Sequence, residues 1–197
     1  MVFFLSFLIT KKDKYIKIFK MKKFIFFTPL IIIFLILLML LFALLSQNIG
    51  NKKTINSVLL NKPIPTKTLL SLNLNEPINL EMYSGSPFLV NFFSSWCEPC
   101  KLEASNLEKL SERIPIIGIS YKDQKEDTYL FLDKYGNPYD EISYDSDGNI
   151  AINWGVYGVP ETFIINENGI IIMRHPGPIS TNVLKYEIMP ILDKINL

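Results

Sequence analysis

"PFLVNFFSSWCEPCKLE", residues 87–103, carries the chain's only two cysteines, Cys97 and Cys100. Pro87–Phe93 is a short, continuous apolar run, the pattern of a strand buried on both faces. Glu98–Glu112 then places Leu102, Leu107 and Leu110 at helical spacing, which predicts a helix with those leucines on its apolar side. The cysteines therefore stand where a buried strand ends and a helix begins. There the helix dipole and the free N–H groups of the first turn stabilise a thiolate at Cys97. Cys100, about one turn into the helix, is close enough to attack a mixed disulfide at Cys97.

Four other chemistries compete for the pair. Zinc needs about four ligands, and the chain adds one histidine, His175, to its two thiols. Copper(I) accepts fewer ligands, including two thiolates with a Met or His. A cysteine-protease dyad would have to use the same His175, which closes a predicted strand. A static bridge is reasonable outside the cytoplasm, yet so short a loop removes little chain entropy. A reversible redox couple accounts for strand, spacing and helix together. Glu98 places a negative charge beside Cys97 and opposes thiolate formation, which argues against a strong oxidant and towards a reductant. Pro99 suits the first helical turn. Trp96 is either a packed aromatic at the strand end or an apolar platform beside the sulfur.

Ile114–Ser120 reads as a second buried strand and Asp123–Tyr135 as a helix carrying Tyr129, Leu130, Phe131 and Leu132. Thr162–Asn166 and Ile170–Arg174 read as strands joined by a tight turn at Glu167–Gly169, before a closing helix over Ser180–Leu192. Two Pro-punctuated extended stretches within 61–82 form a candidate N-terminal hairpin. The order β-α-β-α, hairpin, α predicts an α/β domain with a central mixed sheet and helices on both faces. "DSDGNIAINWG", residues 145–155, has a superficial likeness to a calcium loop but lacks the further oxygen ligands and terminal Glu. It reads as a turn capping a short helix.

Upstream, residues 24–45 run "FIFFTPLIIIFLILLMLLFALL" without a charge, long enough for a transmembrane helix. Residues 1–45 hold seven lysines and one acid, all before the apolar run or at its border, whereas residues 46–197 hold 13 Lys and Arg against 18 Asp and Glu. The positive-inside rule then leaves the N-terminus in the cytoplasm and the remainder outside. The mildly acidic exported part gives no case for nucleic-acid binding. A cleaved signal peptide is the competing reading, but "LFALLSQNIG" is a poor small-x-small site, so an uncleaved anchor is expected. The expected divisions are a basic cytoplasmic N-terminus over 1–23, with Met21 as an alternative start, an anchor over 24–45, a polar tether over 46–62 and one domain over 63–197.

With "NFFSSWCEPCKLE", "GISYKD" at 118–123, "YGNPY" at 135–139, "GVYGVPETFIIN" at 155–166 and "RHPGP" at 174–178, the chain resembles the cytochrome c biogenesis thiol:disulfide interchange proteins of the CcmG/DsbE family, within the thioredoxin-like superfamily. The resemblance extends over most of residues 60–190. Many relatives carry Pro after the first cysteine and Thr before the second, where this chain has Glu98 and Pro99.

The resemblance implies a thioredoxin-like fold with an N-terminal hairpin and an extra segment in its middle. It implies that Cys97 and Cys100 form the redox-active disulfide, with Cys97 the nucleophile and Cys100 the resolving thiol. Pro160 would be cis, and Val159 would contact a substrate peptide. Acidic residues that tune the disulfide map onto Glu103 and Glu161. Read by itself, Glu103 is a solvated helix residue, while Glu161 beside "TFII" is a partly buried acid with a raised pKa. Tyr157 lines the site or packs in the core. The resemblance implies a reductant of apocytochrome c, re-reduced by a membrane thiol carrier of the DsbD/CcdA type, single-pass in the bacterial inner membrane and facing the periplasm. It implies no cofactor and no metal. The alternatives are a thioredoxin-like reductase for another extracytoplasmic substrate and a copper-binding assembly factor.

Overall fold

The computed structural model describes residues 28–43, 59–65, 68–72 and 76–195. The chain divides into two units, Met1–Thr54 and Ile55–Leu197. In the first, a helix (α1) runs over residues 28–43 with nearly all its side chains exposed. Among the described residues no helix is long and apolar enough to cross a membrane. The ends of the expected anchor at 24–27 and 44–45, the basic N-terminus over 1–23 and the tether over 46–58 lie outside the described residues.

The second unit is built on strand β3, Phe88–Phe93, buried at every position. Successive side chains of a strand point to opposite faces, so this one strand supplies two cores. Leu89 and Phe93 pack with Leu107, Leu110, Phe131, Leu132, Ile188 and Leu192. Phe88, Val90 and Phe92 pack with Leu69, Ile78, Leu80, Ala151, Trp154 and Phe163 on the other face. Helices α2 (Glu98–Ser111) and α3 (Lys125–Tyr135) carry the chain from β3 to β4 (Ile116–Tyr121) and on to β5 (Glu141–Asp145). Those strand pairs are parallel and need such crossovers. Strands β6 (Glu161–Ile165) and β7 (Ile171–Pro176) return antiparallel, giving the order β5-β4-β3-β6-β7.

The mixed sheet and its hairpin agree with the expected architecture. Strands β1 (Thr68–Leu70) and β2 (Pro77–Asn79) form the separate N-terminal hairpin. Beyond it, Ser71 bridges Ser143, and the Leu72 N–H donates to the Ile142 carbonyl at 2.7 Å. That segment covers the β5 edge, which would otherwise offer free backbone groups. The closing helix begins at α5 (Thr181–Val183), widens through a π-helical turn over Leu184–Ile188 and ends as α6 (Met189–Lys194). The widening has a local cause: Pro190 has no N–H for the Tyr186 carbonyl, and its ring would crowd that carbonyl in a regular helix.

Several sequence expectations are corrected. Leu102 is exposed, not on the apolar side of α2. The buried stripe of α2 is Cys100, Glu103, Ala104, Asn106, Leu107 and Leu110, so two polar residues occupy positions a hydrophobic count assigns to leucine. Strand β5 was not expected, because "EISYD" has no continuous apolar run and its buried positions include Ser143 and Asp145. The short helix after it, α4 (Asn149–Asn153), is the capped turn read from "DSDGNIAINWG". Asp145 accepts from the Ile150 and Ala151 N–H groups at 3.0 and 2.9 Å. Strand β5 and α4 lie between α3 and β6 in the chain.

Candidate active site

Cys97 is the N-cap of α2, in extended backbone conformation, and it is bridged to Cys100. The Cys100 N–H donates to Cys97 Sγ at 3.2 Å. The sulfur thus stands where a Ser or Asp cap would, accepting one of the orphan donors of the first turn. In the reduced state the same donor and the dipole stabilise negative charge on Cys97. Glu98 opposes this less than its position suggests. It is exposed, and its carboxylate is paired with Lys101 Nζ at 2.6 Å. Hydrogen bonding to Glu98 raises the Lys101 pKa, so Lys101 stays charged.

The loop ahead of the cysteines is held by an aspartate that the sequence motifs do not single out. Asp123, buried at the end of "GISYKD", accepts from the Ser95 N–H at 2.6 Å and from Ser95 Oγ at 2.8 Å. It also receives the Gln124 N–H at 2.9 Å and Thr128 Oγ1 at 3.3 Å. Next to it, the Lys122 carbonyl accepts from Trp96 Nε1 at 3.1 Å. The indole is therefore tied at one edge while 59% of the residue stays exposed. Trp96 is therefore not a packed core aromatic.

Glu103 is fully buried, which overturns its reading as a solvated helix residue. Its Oε1 accepts from Asn91 Nδ2 at 3.0 Å and its Oε2 from the Ile179 N–H at 2.8 Å. Asn91 in turn donates to Thr162 Oγ1 at 3.0 Å and accepts from Tyr139 Oη at 2.8 Å. Burial pushes the Glu103 pKa up to about 7, against the pull of the Ile179 and Asn91 donors. The acid stands one turn after Cys100 on the same helix, with a pKa near neutrality. A carboxyl with such a pKa can bind or release a proton near neutral pH.

Glu161 lies on the opposite face. It is buried and forms an ion pair with Arg174, and its Oε2 accepts from the Tyr157 N–H at 3.3 Å. Arg174 also donates to the Gly155 carbonyl at 2.8 Å, and its guanidinium lies 4.8 Å from the Tyr157 ring centre. Burial raises the Glu161 pKa, while Arg174 and the Tyr157 N–H oppose the rise. Glu161 is thus more deeply buried than the partly buried acid expected from the sequence, with its pKa raised and the Arg174 cation beside it. Tyr157 is 75% exposed, so core packing is excluded for it. The Val159–Pro160 bond is cis, Pro160 is buried and Val159 half-buried.

The structure gathers these residues into two clusters: Glu103, Asn91, Tyr139 and Thr162 on the α2 face, and Glu161, Arg174 and Tyr157 on the other. Asn91, Tyr139, Thr162, Arg174 and Asp123 went unassigned in the sequence. Two signals were available: a lone amide inside "PFLVNFF", and one of only two arginines in a lysine-rich chain. Among the described residues no group of three or more His, Cys, Asp or Glu could hold a metal ion. His175 Nδ1 lies 3.6 Å from Glu187 Oε2.

The AhpC/TSA family profile matches residues 60–174. The thiol:disulfide interchange protein DsbE of Escherichia coli K12 is 37% identical over 178 residues, covering 88% of this chain and 96% of that protein. The protein of the same name from Pasteurella multocida is 36% identical over 168 residues, covering 82% and 93%. In fold, the chain is similar to MTB DsbF, with a TM-score of 0.55 at 20% identity, covering 65% of this chain and 97% of that one. A thioredoxin-like protein from Aeropyrum pernix gives a TM-score of 0.55 at 18% identity, covering 64% and 89%.

Proposed function

Because this chain belongs to the DsbE family of thiol:disulfide interchange proteins, we propose that it is the reductant of apocytochrome c disulfides in cytochrome c maturation. The observation that carries this reading is the Cys97–Cys100 bridge at the start of α2, one turn ahead of the buried acid Glu103.

In the reduced protein the Cys97 thiolate attacks one sulfur of the substrate disulfide. A mixed disulfide forms, and the other substrate sulfur leaves as a thiolate that takes a proton. Cys100 then attacks Cys97 Sγ, its thiol proton passing to the Glu103 carboxylate, and the second substrate sulfur leaves. Two electrons have moved to the substrate, and the Cys97–Cys100 bridge remains. The exposed Trp96 and Tyr157 offer apolar surface to the substrate chain, with Val159 and Pro160 supplying backbone contact beside them. Glu161 tunes the disulfide from its own side of the sheet. Electrons return from a membrane thiol carrier of the DsbD/CcdA type. The apolar stretch 24–45 anchors the protein in the inner membrane, with the thioredoxin-like domain in the periplasm.

The test is haem attachment in a strain lacking the gene. Wild type should restore c-type cytochromes, and Cys97→Ala should not. Normal c-type cytochromes in the deletion strain, without added reductant, would refute the assignment to this pathway.

A further inference from the structure

One row of register partners crosses the sheet on the α2 face: Gly118, Asn91, Thr162 and His175 on β4, β3, β6 and β7. Asn91 is fully buried, and its carboxamide is used in both directions. Nδ2 donates to Glu103 Oε1 and to Thr162 Oγ1, and Oδ1 accepts from Tyr139 Oη. Gly118 is what admits the phenol. A Cβ at Gly118 would come within 2.8 and 2.9 Å of Tyr139 Cγ and Cδ1, so the ring lies flat over this residue and stacks on Phe93 at 4.7 Å.

The orientation of a buried amide matters because its two ends have opposite hydrogen-bonding character. With Nδ2 towards Glu103, the amide favours the ionised carboxylate. Turned over, Oδ1 would face Glu103 and favour the protonated acid instead. The phenol decides between them: its O–H finds an acceptor only when Oδ1 points its way.

We propose that Asn91 and Tyr139 are positioning residues of the redox site. The Tyr139 phenol locks the Asn91 carboxamide with its donor end towards Glu103, and so keeps that carboxylate ready to take the proton of Cys100. The proposal rests on the reading of Glu103 as proton acceptor given above. Tyr139 is suited to the role, because burial and then the Glu103 charge push its pKa well above the ordinary value and keep it a donor. Among the described residues, His175 on β7, in the same register row, and Glu187 of the π-helical turn, which pairs with it, are the other titratable groups on this side, while Cys97 and Cys100 on α2 are bridged and do not titrate. The influences on the Glu103 pKa are burial and its two N–H donors.

The test is a pH titration of the buried carboxyl stretch by infrared spectroscopy, on the full chain in detergent, with Glu103→Gln assigning the band. Tyr139→Phe and Asn91→Leu should each raise the Glu103 midpoint by about one pH unit, the scale of a lost charge-assisted hydrogen bond. Gly118→Ala, which displaces the ring without deleting a polar atom, should move it in the same direction. A merely structural role would lower thermal stability and leave the midpoint in place. An unmoved midpoint in folded Tyr139→Phe overturns the proposal, even if Asn91→Leu fails to fold. The titration uses no substrate, so a chain that reduces no apocytochrome would refute the function while leaving this result intact.

Discussion

Glu103 and Glu161 stand on opposite faces of one sheet. Glu161 sits across from Phe92 in the β3–β6 register, and Glu103 reaches Asn91, the next residue along β3. The alternation of strand side chains separates them. Glu103 is met by neutral donors, Glu161 by a guanidinium. Burial raises the Glu103 pKa to about 7 with only neutral donors against it, whereas the rise at Glu161 is opposed by a cation.

That difference should appear in stability. The folded protein raises the Glu103 pKa to about 7, above the ordinary 4.5, so it binds this proton more tightly than the unfolded chain does. Stability from this group is full below the ordinary value and is lost as pH rises through the folded value. The loss is on the order of 3 kcal/mol. Urea unfolding of the oxidised protein at a series of pH values should show wild type losing about this much more than Glu103→Gln. Parallel curves would contradict it.

Arg174→Met should destabilise by about 3–5 kcal/mol at alkaline pH, because it leaves the Glu161 carboxylate buried without its cation. Removing Arg174 takes away an influence that holds the Glu161 pKa down. The folded pKa therefore rises further, and the penalty should shrink as pH falls and Glu161 takes a proton. The double variant with Glu161→Gln should recover part of the loss at alkaline pH. Denaturation at two pH values measures all three effects.

Asp123→Ala should cost about 1–3 kcal/mol by stripping the Ser95 N–H and hydroxyl of their buried partner. The Trp96 loop should loosen with it. Trp154 is fully buried in the opposite core, so a rise in fluorescence quenching on this substitution reports on Trp96. An unchanged quenching constant would show that Asp123 does not hold the loop.

Much of this is legible in the sequence. The apolar run ending in "WCEPC" located strand, bridge and helix, because burial on both faces and the cap position leave their marks on consecutive residues. The polar network was not legible, because its members come from four separate elements. Asn91 meets Tyr139 and Thr162 only through the sheet register and the gap at Gly118. The motifs "YGNPY" and "GISYKD" marked the segments holding Tyr139 and Asp123 without saying what either touches. Strand β5 escaped notice because its buried positions include a serine and an aspartate, which no hydrophobic count recovers.

The central claim, that Cys97 attacks a disulfide of apocytochrome c and Cys100 resolves the adduct, is tested most directly by covalent trapping. Reduced Cys100→Ala should accumulate a mixed disulfide between Cys97 and oxidised apocytochrome c, reversible by dithiothreitol and lost in the Cys97→Ala, Cys100→Ala double variant. No adduct with apocytochrome from Cys100→Ala, or an equal adduct from Cys97→Ala alone, would contradict it.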